Sequence, residues 1–204
     1  MHSVLAIHSK LKIGSGIRPF LNSSMAYIRK AIYSNRYFIV LAIFIYFFGA
    51  MTGVIAAATI TLEKVPELET YNQNPSSILE ILKMNMFVLA IILAGALTFC
   101  GLAIVGLFTS GFVHANILFV LPISTTLFIK YFVPHAIIEL PAIWIAGAVG
   151  IRVPYEFLKF LYYPNSKFLM KREITDIFIL ILVSCVCIIL AAAVEGLLLY
   201  SVTS

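Results

Sequence analysis

"MNMFVLAIILAGALTFCGLAIVGLFTSGFVHANILFVLPISTTLFI", residues 84–129, carries no formal charge over 46 residues. As one α-helix it would be about 69 Å long at 1.5 Å per residue. A bilayer hydrocarbon core is about 30 Å thick and takes roughly 20 apolar residues to cross. The run therefore holds two crossings and a break. The segment "TSGFVHAN", residues 109–116, is its most polar part and reads as the break. Span 2 then covers about 85–108 and span 3 about 112–129.

Working outward, Tyr37–Leu62 and Ile177–Val194 are also free of charge. They read as span 1 (38–60) and span 5 (176–200). Between spans 3 and 5 the turn "KYFVP", 130–134, leads into span 4, about 135–151, interrupted by Pro141. Spans 3 and 4 are short by this reading. They are either full crossings or a pair of re-entrant half-helices buried in protein.

The 204-residue chain is 62% hydrophobic and 11% charged, and its mean hydropathy is +1.04. Average soluble domains carry about 25% charged residues. The fold class is all-α: a polytopic helical membrane protein of about five spans. One transmembrane domain, 38–200, follows a basic N-terminal tail and interfacial helix, 1–37. Asn22 and Ser23 read as caps for that helix, which would begin near Met25. A second amphipathic stretch, "YEFLKFLYY", lies in the loop 152–175. Residues 1–24 lack the apolar core of a cleavable leader, so span 1 is expected to remain as an anchor.

Charge bias orients the chain. Residues 1–37 carry six basic and no acidic residues, 152–175 five basic and two acidic, and 62–83 two basic and four acidic. The positive-inside rule puts the first two in the cytoplasm and the third outside, with the C-terminus. A multi-pass cell-membrane protein with its N-terminus inside is expected. The net charge of +5 flanks the spans, so membrane lipid is the expected partner and nucleic acid is not. Cys100, Cys185 and Cys187 all fall in apolar spans and imply no disulfide framework.

Two kinds of residue stand out. Glycines at 49, 53, 95, 111, 147 and 150 allow close helix approach or mark breaks, and Gly49 with Gly53 forms a GxxxG. Pro134 and Pro141 mark helix starts or kinks. Polar groups form the second set. His135 and Glu139 share one helix face at i and i+4. With Asn85, Lys130 and Glu195 they converge on the outer half of the bilayer. Glu139 is expected to hydrogen-bond His135. His114 falls at the opposite surface by this reading and is a packing histidine. Trp144 contacts lipid or packs in the core.

The segments "SNRYF" (34–38), "FFGAMTG" (47–53), "NMFVLAIILAGALTFCG" (85–101), "TSGF" (109–112) and above all "PHAIIELPAIWIAGAVGIRV" (134–153) resemble the stage II sporulation protein M family of integral membrane proteins. The resemblance covers roughly residues 30–200. It implies a membrane scaffold, which in spore formers assembles with cell-wall-degrading partners. Nothing in the sequence indicates sporulation.

No GxSxG, P-loop, dinucleotide or HExxH pattern is present. No catalytic residue, metal ligand or cofactor is expected, and the protein is not expected to be an enzyme. Two functions remain. One is a scaffold organising extracytoplasmic or membrane partners. The other is a small transporter or channel component using the His/Glu cluster, and a pore of such small bundles calls for a homo-oligomer.

Overall fold

The computed structural model describes residues 14–62, 78–120, 133–163 and 168–203. The regular structure among them is helical throughout. Helix α1 is Gly14–Ser34, α2 Arg36–Leu62, and α3 Ile78–Leu93 with a 3₁₀ turn, Ala94–Ala96, at its end. Helix α4 is Gly101–Val120, α5 Val133–Tyr162 and α6 Lys171–Thr203. The five helices after α1 are each long and apolar enough to cross a membrane. The all-α, five-span architecture stands. Helix α1 begins well before the expected Asn22–Ser23 cap.

The break inside the long uncharged run falls elsewhere than expected. It lies at 97–100, where Phe99 and Cys100 adopt left-handed backbone at φ 48° and 64°. The Cys100 N–H donates to the Gly95 carbonyl at 2.9 Å. The Thr98 hydroxyl accepts the Leu102 N–H at 3.1 Å, satisfying the start of α4. Residues 109–116 continue α4 instead of breaking it. The Thr109 and Ser110 hydroxyls donate back to the carbonyls of Val105 and Gly106, at 2.8 and 2.7 Å. Polar side chains satisfied within their own helix give no reason for it to end.

Spans 3 and 4 are not short. Helices α4 and α5 have 20 and 30 residues, about 30 and 45 Å at 1.5 Å per residue. Both are long and apolar enough for full crossings. Pro134 takes the second position of α5, where a missing N–H breaks no bond. Pro141 and Pro154 lie inside the helix, which runs through both.

Helix α5 is the centre of the bundle. From Ala142 to Arg152 every residue but Trp144 is buried. Its small residues allow close approach on several sides. A Cβ on Gly147 would lie 2.7 Å from a Leu107 methyl, and one on Gly150 2.5 Å from the Ile92 carbonyl. The tightest pairing is α2 with α4. Cβ atoms on Gly49 and Gly53 would fall on the carbonyls of Phe108 and Phe112, and one on Gly111 on that of Tyr46. The GxxxG face therefore meets a helix and not lipid. Gly95 packs on Ala103 beside the 97–100 turn.

A charged knot closes the end of the bundle that holds this turn. Arg152, 4% exposed, is buried in α5 and does not belong to the loop 152–175 that the sequence predicts. Its Nη1 donates to Asn35 Oδ1 at 2.7 Å, and its Nη2 stands 3.5 Å from Glu173 Oε1. Asn35, at the α1–α2 joint, donates in turn to the Ala31 carbonyl at 2.7 Å. Glu173 also accepts the Met170 N–H at 2.7 Å, capping α6. One guanidinium thus ties the α1–α2 joint, α5 and α6 together.

Candidate functional site: a polar crevice between α3 and α4

Helices α3 and α4 form a hairpin. They touch near its turn, where Gly106 lies against Ile92. Farther along a cavity of about 200 Å³ opens between them. Helix α3 contributes Asn85, α4 contributes Thr109, Ser110 and His114, and α5 forms the third wall with Glu139. Apolar Val88, Ile91, Val113 and Ile143 complete the lining.

The polar groups form a layer. Asn85, His114 and Glu139 lie six or seven residues from the far ends of their helices, and Glu195 lies eight from the end of α6. At 1.5 Å per residue that is about 9–12 Å below the bundle end opposite the charged knot. All four lie within the stretches of their helices that are long and apolar enough to cross a membrane.

Glu139 is 7% exposed. Its Oε2 stands 3.7 Å from His135 Nε2. That is an ion-pair contact, longer than the expected hydrogen bond. Asn85 lines the same cavity, as expected. Glu195 lies within electrostatic range of Glu139. Lys130 lies outside the described residues.

His114 is placed differently from the sequence reading. Because the break sits at 97–100, α4 rises from there and carries His114 to the same layer as Glu139. It lines the cavity and interacts electrostatically with His135. Its Nδ1 shares a hydrogen bond of 2.9 Å with the Tyr46 hydroxyl. Tyr46 also meets Trp144 edge-on, ring centroids 5.9 Å apart, so Trp144 packs inside the bundle. Tyr46, Thr109 and Ser110 were not singled out in the sequence. The signal that would have found them is the intramembrane polarity of "TSGFVHAN", once kept inside a helix.

Among the described residues no three His, Cys, Asp or Glu side chains are placed to hold a metal ion. The site offers a buried carboxylate, an amide, two hydroxyls and one imidazole around a small space, with a second imidazole, His135, beside the carboxylate. Groups of this kind can exchange protons or bind a polar solute at membrane depth.

The helices and crevice define a polytopic helical membrane protein with an intramembrane polar site. The chain belongs to the Stage II sporulation protein M family, whose model matches residues 38–198. It is 28% identical over 163 residues to an uncharacterized protein of Methanocaldococcus jannaschii, covering 77% of this chain and 90% of the relative. No solved structure matches it.

Proposed function

We propose that the protein is a small transport component of the membrane, with the Glu139 crevice on a proton or solute path. The observation that carries this is a buried carboxylate facing a cavity of about 200 Å³ at membrane depth. Packing alone gives no reason to leave space beside such a group. An intramembrane ionisable residue facing a cavity is characteristic of ion and proton paths. In this reading Glu139 takes and releases the proton, and His114, His135 and Glu195 set the local field. The protein has no catalytic activity of its own.

The test uses full-length protein in liposomes that carry an internal pH dye, with a potassium gradient and valinomycin as driving force. The expected result is proton flux above that of empty vesicles, reduced at least tenfold by Glu139→Gln. Flux equal to that of protein-free vesicles would refute the proton path.

A scaffold is the second reading, supported by an aromatic cluster at the charged-knot end. Phe157 meets Phe99 and Phe168 edge-on, at 6.0 and 5.7 Å between centroids, and Phe160 joins Phe168 at 6.1 Å. Phe99, Phe160 and Phe168 are exposed. A scaffold would keep its partners in the Glu139→Gln variant, as judged by co-purification from native membranes.

For the orientation, we propose that the N-terminus lies in the cytoplasm and the C-terminus outside the cell. Cysteines introduced at Asn72 and Asn165, on a background without native cysteines, check this in intact cells. An impermeant maleimide is expected to label position 72 and spare 165. The reverse pattern would invert the topology.

A further inference from the structure

The hydroxyls of the crevice have committed their protons elsewhere. Ser110 Oγ donates to the Gly106 carbonyl at 2.7 Å and Thr109 Oγ1 to the Val105 carbonyl at 2.8 Å. A hydroxyl has one proton and two lone pairs. Both side chains therefore offer the cavity acceptor oxygens. Glu139 adds a carboxylate from the α5 wall. His135, at 3.7 Å, is too distant to occupy it with a hydrogen bond. Glu195 adds to the negative field there.

The remaining lining is apolar, and the space exceeds the needs of a bare metal ion. A water molecule takes roughly 30 Å³ of liquid, and the cavity is about 200 Å³. A ligand that fits both features has N–H donors and a positive charge at one end and a short alkyl body. An anion would face the Glu139 carboxylate. An alkali ion would leave Val88, Ile91, Val113 and Ile143 without a partner.

We infer that the crevice between α3 and α4 binds a small organic ammonium ion. Its N–H groups meet Glu139 and the Thr109 and Ser110 oxygens, and its alkyl part lies against the four apolar side chains. The cation also gives Glu139 the hydrogen bonds that His135, at 3.7 Å, does not supply, and a buried carboxylate without such partners is costly. This deepens the solute-path reading and rests on it.

Thermal unfolding of the full-length protein in neutral detergent tests the inference. Propylammonium chloride is titrated in at constant ionic strength, with sodium chloride and sodium propionate as parallel series. A saturable rise in Tm is expected with propylammonium alone. Its midpoint should move at least tenfold higher in Glu139→Gln, and several-fold in Thr109→Val, which keeps shape and removes the oxygen. An equal rise with either sodium salt would overturn the inference, as would midpoints unchanged in both variants. Binding without proton flux would sink the proton path and leave this inference and the solute path standing. Flux without propylammonium binding would do the opposite.

Discussion

Gly49→Leu is expected to lower stability by about 3 kcal/mol or more, at the upper end of overpacking costs. The position faces main chain. Even a Cβ there would fall on the Phe108 carbonyl, and no rotamer change in α4 can move a carbonyl aside. The two helices must separate instead. Separation also opens the contacts of Gly53 with Phe112 and of Gly111 with Tyr46, since they share the interface. For a chain of this size the loss corresponds to a fall in Tm on the order of 10 °C. Thermal unfolding in detergent measures it. A leucine variant that melts with the wild type would mean that α2 and α4 do not pack through this face. Leucine at Gly101, where an added Cβ meets only the Thr98 hydroxyl, at 4.0 Å, is the control and should shift Tm far less.

Arg152→Ala is expected to cost about as much, roughly 3 kcal/mol, the lower end for breaking a buried ion pair. The lower end applies because Glu173 keeps 23% of its side chain exposed and recovers some hydration. Removing the guanidinium strips Asn35 Oδ1 of its donor inside a fully buried site. It also frees the α1–α2 joint from α5 and α6. Glu173→Gln should cost much less, about 1 kcal/mol. The amide oxygen still accepts from Met170, and Arg152 keeps Asn35. Unfolding of the two variants side by side checks the ranking. Equal losses would mean that the ion pair, rather than the Arg152–Asn35 bond, holds the knot.

Much of this was legible in the sequence, and the errors share a cause. Four of the five spans follow from charge-free runs, because lipid tolerates few charges, and span 4 follows from the turn at 130–134. Gly49 and Gly53 mark a close-packing face, because spacing by four puts both on one side of a helix. His135 and Glu139 pair for the same reason. The failures came from equating polarity with a loop. "TSGFVHAN" is polar, yet Thr109 and Ser110 bond to their own helix and His114 to Tyr46, and the helix runs on through the segment. The true turn uses Phe99 and Cys100 in a conformation more natural to glycine or asparagine, so its residues gave little local signal. Moving the break by about ten residues carried His114 from one side of the bundle to the other. Arg152 was misread in the same way. A charge next to "AGAVGI" belongs to a loop only if nothing buried can pair with it, and Asn35 is more than a hundred positions away in sequence.

Pro141 has no N–H, so the carbonyl of Ile137 four residues earlier lacks its helical donor. Ile137 is 67% exposed, on the side of α5 turned away from the bundle. The missing bond therefore lies on the outer surface, while Glu139, between the two residues, faces inward. A rod with one tie removed from its outer side has its lowest bending stiffness there. The turn that carries Glu139 thus holds one backbone hydrogen bond fewer than a regular helical turn, as does the turn before Pro154, and α5 resists bending least at these two places.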